Sequence, residues 1–275
     1  MSAKLSLGII GHGFVGKAVS YGFQTPNVKQ HLIDPKLGSN IQNDLPKDVD
    51  VVFICVPTPM NDDFSINSSI VEKVVAELLE HTTHCPIVIK STVTPDKLKA
   101  LPKSPRIIYN PEFLTEKNAN EDFITPEMHV FGGDQKNTHQ VERFYEAYSL
   151  CRPCPVFHMK MEEASLVKYG VNTFLATKVL WFNQFFDVVE NENANYNKVI
   201  SAIATDPRIG SSHTLVPGFD NKRGYGGACF PKDTNAFSTF APAFSILKKV
   251  IEENNNYRRS YEKDKRELEQ NVTYV

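Results

Sequence analysis

The sequence predicts an α/β fold: a doubly wound parallel sheet followed by a smaller all-helical domain. Three observations predict it. Apolar, β-branched runs alternate with amphipathic helical stretches over residues 1–159, the pattern of strands joined by crossover helices. Some of those runs are apolar throughout, as strands buried on both faces are. From residue 160 to 275 the chain turns helical, and no later segment reads as a strand. The expected division is therefore 1–159 and 160–275.

Each element follows from its residues. "KLSLGIIG" (4–11) is a β-branched run ending in glycine, and "FVGKAVSYGFQ" (14–24) has helical spacing. "VKQHLIDP" (28–35) and "VDVVFICVP" (49–57) read as the next strands. "SSIVEKVVAELLEHTT" (68–83) opens on serine caps and keeps apolar residues at i, i+3 and i+4, a helix. "PIVIKSTV" (86–93), "RIIYNPEF" (106–113), "HVFGG" (129–133) and "PVFHM" (155–159) supply further strands. The helix "THQVERFYEAYSLC" (138–151) lies between the last two. "MEEASLVKYGVNTFLATKVLWFNQFFDVVENEN" (161–193) is one long apolar-rich helix. The polar tail from about residue 250 reads as a solvated helix or frayed chain.

Bulk properties exclude several classes of function. The 275 residues are 41% hydrophobic and 23% charged, a globular composition. A formal charge of −2 gives no basic field for nucleic acid. No apolar run approaches the roughly 18–20 residues that span a bilayer. "MSAKLSLGIIGHG" carries no secretory leader, so a cytoplasmic location is expected. Cys55, Cys85, Cys151, Cys154 and Cys229 form an odd set without disulfide-framework spacing, which suits reduced thiols. "CRPC" (151–154) reads as a redox pair or as half a zinc site, but each reading lacks its partner motif. His81 and His84 sit at a helix end, and no metal is expected.

The chemistry concentrates in a few motifs. "GHGFVG" (11–16) matches GxGxxG, directly after a strand and opening a helix, with Asp34 ending the next strand. That context is the dinucleotide fingerprint of a Rossmann-type sheet: Gly11 makes the turn, Gly13 admits the pyrophosphate, and Gly16 lets helix and strand pack closely. Phe14 and Val15 complete the cofactor turn. The pyrophosphate would sit on the helix N-terminus, and Asp34 would accept from the ribose hydroxyls. An acidic group there repels a 2′-phosphate, so NAD is preferred over NADP, with Lys36 the one feature that weakens the preference. "CVPTPM" (55–60), with Val56, Pro57 and Thr58, ends the second buried strand. "KSTV" (90–93) brings Ser91 and Thr92 to the next strand end, and "NPEFLTE" (110–116) brings Glu112 and Glu116. In open α/β sheets ligands bind beyond these carboxyl ends. Lys168 and Asn172, four apart on the long helix amid apolar neighbours, would aim two donors at one oxygen. "GYGGACFPKD" (224–233) crowds glycines against Cys229, with Lys232 and Asp233 after it; it is either a tight structural loop or the setting of a tuned nucleophile.

"GIIGHGFVG", "VPTP", "KSTV", "NPEFLTE", "KYGVN", "DPRIG" and "GYGGACFPKD", in that order between residues 5 and 257, resemble the nucleotide-sugar 6-dehydrogenase family, and "CFPKD" resembles its UDP-glucose branch. The resemblance implies dimers that oxidise a sugar C6 alcohol to a carboxylate with two NAD⁺. It makes Cys229 the nucleophile that carries a thiohemiacetal and then a thioester, with Lys168 and Asn172 stabilising the oxyanion. Asp233 would hold a water and assist proton transfer with Lys168; Glu112, near Thr58, would be the acid/base of hydrolysis. Glu116 would lie by the nicotinamide. Phe113, Leu114, Tyr225, Gly226 and Gly227 would line the sugar site, and Arg208 of "DPRIG" would reach it across a dimer interface. UDP-glucose is the expected substrate and a homodimer through the helical domain the expected assembly. Another nucleotide hexose, a small hydroxy acid, or a non-catalytic NAD or nucleotide-sugar binding remnant are the alternatives. The resemblance also implies a C-terminal nucleotide-capping domain that this sequence lacks, with "SSHTLVPGFDNKR" (211–223) as a partial substitute.

Overall fold

The computed structural model describes residues 4–275. They form two compact units, one running to Thr58 and resuming over Asn67–Lys168, the other comprising Pro59–Ile66 and Tyr169–Val275. The first unit places β1 (Leu5–Ile10), α1 (Phe14–Gly22), β2 (Val28–Ile33), α2 (Ile41–Asp44), β3 (Val51–Ile54) and α3 (Ser69–His81) in order. It continues with β4 (Ile87–Ile89), α4 (Pro95–Ala100), β5 (Ile107–Tyr109), α5 (Ala119–Ile124), β6 (His129–Gly132), α6 (Gln135–Tyr148) and β7 (Val156–Met159). The strands make one sheet in the order β2-β1-β3-β4-β5-β6-β7. Every pairing is parallel except β5 with β6.

Continuous apolar runs fit this sheet because both faces are covered. Val52, Ile54, Ile87, Ile89, Ile107 and Tyr109 bury one face against Val71, Val75 and Leu78 of α3. Val51, Phe53, Val88 and Ile108, the alternate residues, bury the other against Ala18 and Val19 of α1 and Val141 and Tyr145 of α6. Period-two alternation thus sends each strand into two cores rather than into core and solvent. The chain order reverses at β1, which lies between β2 and β3. In such sheets the crevice beyond β1 and β3 is where ligands bind.

Helix α7 (Met161–Asn191) begins in the first unit and continues in the second, which adds α8 (Tyr196–Ile203), α9 (Phe230–Phe240), α10 (Ser245–Arg258) and α11 (Lys265–Glu269). The boundary therefore falls at Lys168/Tyr169 rather than at 159/160, and a short segment, 59–66, joins the helical unit. The Met60 amide donates to Gln270 O at 3.0 Å, and Ile66 is buried with Tyr169, Ala236 and Phe237. The tail is neither frayed nor fully solvated. Asp264 and Glu267 form a capping box on α11, Val272 is buried, and Tyr274 donates to Glu267 at 2.6 Å. Its polar residues pair with one another, which hydropathy alone cannot register.

Candidate active site

In the first unit the β1–α1 turn is built by its glycines. Gly11 has φ +89°, and a Cβ there would meet Cys55 O at 2.8 Å; one on Gly16 would meet Gly11 O at 1.9 Å. A Cβ on Gly13 would meet nothing within 4 Å, so the turn opens onto space at the N-terminus of α1, which no side chain caps. Phe14 and Val15 form the first helical residues, half-buried. The Asp34 carboxylate accepts from the His12 amide at 2.7 Å and from the Lys36 amide at 2.8 Å, so it pins the glycine turn while each oxygen keeps a lone pair for a ribose hydroxyl. Lys36 itself is exposed. An open, uncapped helix N-terminus beside an acidic strand end fits a dinucleotide.

The neighbouring strand ends are drawn together. Ser91 Oγ donates to Val56 O at 2.6 Å, which ties the end of β4 to the end of β3. Thr58 and Thr92 are buried, and Pro57 is exposed. Glu112 is buried: its Oε2 accepts from the Leu114 amide at 2.6 Å and its Oε1 from Lys168 Nζ at 3.1 Å. Lys168 Nζ also donates to Glu112 O at 2.5 Å and lies 5.4 Å from the Phe113 ring centroid. Glu116, in contrast, sits in an exposed turn.

Sequence reading passed over Lys90. It is buried, donates to Asn110 Oδ1 at 3.0 Å, and shares that oxygen with the Tyr145 hydroxyl at 2.9 Å. Burial pulls its pKa down to about 8. Only its place after an apolar strand hinted at this, since a lysine there can turn back under the sheet.

In the second unit the cysteine loop is clamped from several sides. Asn254 accepts from the Tyr225 amide at 2.7 Å and donates to Tyr225 O at 3.0 Å. Asn183 accepts from the Gly224 amide at 2.9 Å, and Glu267 from the Gly227 amide at 3.1 Å. Gly224 and Gly227 have φ +73° and +78°, and a Cβ on Gly226 would sit 1.4 Å from Arg258 Nη2. The loop thus needs glycine both for its turns and for the close approach of Arg258. Glu267's carboxyl stays below its ordinary range although burial pushes it up, because the Tyr274 hydroxyl, the Asp264 and Gly227 amides and the Arg258 charge outweigh burial.

Cys229 is the N-cap residue of α9 and half-buried, and no side-chain cap bond closes that helix N-terminus. Within the first turn, Asp233 is buried between two donors: Lys232 Nζ at 2.5 Å and Asn172 Nδ2 at 2.6 Å. Lys168 pairs with Glu112, and Asn172 with Asp233, which Lys232 also holds. Tyr225 is buried, its hydroxyl 3.4 Å from Thr234 Oγ1. Arg208 does not join this group. Its side chain is 87% exposed and pairs with Asp206.

The remaining cysteines and the HTTH pair serve structure. Burial pushes the Cys151 thiol up to about 11 and raises Cys154, the opposite of a reactive redox pair, and Cys151 Sγ bonds Phe123 O at 3.1 Å. His81 Nε2 bonds Leu45 O at 2.7 Å, and His84 is exposed. No helix of the described residues is long and apolar enough to cross a membrane.

Two family models match the chain. The NAD binding domain of the UDP-glucose/GDP-mannose dehydrogenase family matches residues 25–149, and the central domain of that family matches 162–257. The chain is 33% identical to the UDP-glucose 6-dehydrogenase YwqF of Bacillus subtilis over 75% of its own length and 49% of that protein. It is 31% identical to the UDP-glucose 6-dehydrogenase of Streptococcus pneumoniae over 85% of its length and 62% of that protein. A solved UDP-glucose dehydrogenase from Pyrobaculum islandicum superposes with a TM-score of 0.75 at 26% identity, covering 93% of this chain and 69% of that one. The chain thus spans about half to three-fifths of the length of these curated relatives. The NAD-binding domain assigns NAD as the cofactor. The two domain matches, in order and covering most of the sequence, place this chain in the UDP-glucose/GDP-mannose dehydrogenase family.

Proposed function

We propose that the protein is a nucleotide-sugar 6-dehydrogenase that oxidises UDP-glucose to UDP-glucuronate in the cytoplasm. The observation that carries this reading is Cys229 at the N-terminus of α9, on a glycine loop clamped by Asn254, Asn183 and Glu267, with buried Lys232 and Asp233 in the same helical turn and Asn172 of α7 bonded to Asp233. A one-step alcohol dehydrogenase has no use for a positioned thiol, whereas a four-electron oxidation needs to hold the aldehyde.

Bound NAD supplies the acceptor for the hydride lost in each of two oxidations. The residues supply the rest. Cys229 Sγ forms a bond to C6 of the aldehyde, giving a thiohemiacetal whose oxidation leaves a thioester. Water then breaks the C–S bond, releasing the carboxylate and returning the thiol, with the protons passing to solvent. In this scheme Lys168 and Asn172 donate to the C6 oxygen as charge develops. Asp233, held by Asn172 and Lys232, orients the water, and Glu112 exchanges a proton with Lys168 during hydrolysis. Asp34 favours NAD over NADP by repelling a 2′-phosphate.

The test mixes purified protein with NAD⁺ and UDP-glucose and counts NADH per sugar consumed. Two NADH, and none with Cys229→Ala, is the expected result. One NADH per sugar excludes the thioester route. UDP-glucose and NAD⁺ binding by calorimetry with no NADH formed would instead select a second reading, a binding module without turnover.

A further inference from the structure

Helix α6 and the edge strand β7 bring together three ligand-type side chains that the proposed reaction does not use. His139 and Glu142, at i and i+3, share one face of α6, and His158 on β7 meets them. His139 Nδ1 and His158 Nε2 each lie 3.0 Å from the same oxygen, Glu142 Oε2. The two imidazole centroids are 4.0 Å apart, and the three ligand atoms lie within 4.8 Å of one another. Zinc bonds of about 2.0–2.1 Å in a tetrahedron hold ligand atoms about 3.3 Å apart, so small side-chain adjustments suffice to admit an ion.

The surroundings orient the set as ligands are oriented. The Thr138 hydroxyl donates to Gln135 O at 3.0 Å, so its oxygen accepts from His158 Nδ1–H at 2.9 Å. That contact holds one ring nitrogen on Thr138 and turns the other, Nε2, toward the Glu142 carboxylate, as an outer partner orients a ligating imidazole. Phe131 stacks on His158, with ring centroids 5.7 Å apart and planes at 29°, which holds the ring. All three ligands are half-buried, leaving a path for an ion and a fourth position for water.

We propose that His139, Glu142 and His158 form a binding site for a divalent transition metal of the zinc class, clipping α6 to the edge strand β7. Two imidazoles and a carboxylate are a nitrogen–oxygen set suited to zinc, and one open position is typical of three-ligand sites.

Zinc chloride titrated into chelator-stripped protein by calorimetry tests this. One equivalent is expected, with a melting temperature that rises with zinc concentration. Glu142→Gln and His158→Gln should each weaken binding by tenfold or more. Thr138→Val, which keeps every ligand and removes only the orienting acceptor, should weaken it by about 10- to 100-fold. Because thiols also take zinc, the equivalent must persist in Cys151→Ser/Cys154→Ser and in Cys229→Ser. Absence of zinc binding, or binding unchanged in Glu142→Gln and His158→Gln, overturns the proposal and leaves a proton-bridged ion pair. Circular dichroism of each variant separates lost binding from lost fold, and Thr138→Val carries the test if a ligand variant fails to fold.

Discussion

Cys229 and Lys90 show two ways in which one residue's surroundings set its chemistry. Cys229 has the N-terminal amides of α9 at its side and a buried carboxylate, Asp233, one turn on. If the thiol carries the intermediate, Cys229→Ser should lower turnover about a thousandfold or more, equivalent to about 4 kcal/mol of barrier. Steady-state NADH formation measures it, and a normal rate in Cys229→Ala removes the thiol from the mechanism. Lys90 is shaped by burial, which lowers its pKa from 10.5 to about 8. Its folded pKa lies below its unfolded one, so between those values the unfolded chain holds the extra proton. Stability should therefore rise with pH from about 8 to about 10.5, by at most roughly 3 kcal/mol from this residue. Burial raises the Cys55 pKa to about 12, which works in the opposite sense above pH 9, so the comparison must be with a variant. The stability of the wild type relative to Lys90→Met, from urea unfolding at pH 7.5 and pH 10, should increase. An equal gap at the two pH values would mean that the lysine is not strained when charged.

Among the elements, the strands and the helices α1, α3, α6 and α7 were legible because their signal is local, whereas α2, α4 and α5, of four to six residues, are too short to show a period. Strands read from continuous β-branched runs, and helices from their 3.6-residue period, with ends displaced by one to several residues where caps and loops take over. The glycine turn was legible for the same reason, since its strand–turn–helix context is contiguous. The clamp on the cysteine loop was not. Arg258 bonds Asp220 through both guanidinium nitrogens at 2.8 Å, and Glu267 reaches back to the Gly227 amide. Partners 38 and 40 residues apart leave no periodic trace in a polar tail. The insertion at 211–223 is likewise fastened by distant partners: Arg223 bonds Asn183 and Asp187 on α7 and Tyr257 on α10. This packing makes a steric prediction. Gly226→Ala sets a methyl against the Arg258 guanidinium, which is only 2% exposed and fixed by Asp220. It should cost about 1–3 kcal/mol in urea unfolding and speed hydrogen exchange over residues 259–275. In an Arg258→Ala background the same substitution should cost less, because the obstructing group is gone. Equal costs in both backgrounds would place the strain elsewhere.

At the scale of the whole molecule, the long helix decides what the protein must still bury. With Trp181, Phe182, Phe185 and Phe186 it carries more apolar surface than one small domain readily covers. The second unit covers most of it: Phe182 is buried, and Phe185 and Phe186 are partly buried with Tyr196, Val199 and Ile203 of α8. What stays in solvent is a narrower stripe on α7, Phe174 at 68%, Trp181 at 53% and Val188 at 56% exposure. These three recur every seven residues, so they lie along one line of the helix, the spacing at which two helices pack side by side. Large apolar side chains aligned in this way at a protein surface are what helix–helix interfaces bury, so the stripe is a candidate one. A two-fold pairing would use the stripe twice, and it would give the exposed Arg208 a second copy's substrate to reach. The prediction is that light scattering finds a dimer, and that Trp181→Glu or Phe174→Glu shifts it to monomer while far-ultraviolet circular dichroism stays unchanged. If Arg208 acts across the pair, the monomeric variants should lose UDP-glucose affinity along with Arg208→Ala. Monomeric wild type that turns over normally would instead leave the stripe without a role in catalysis.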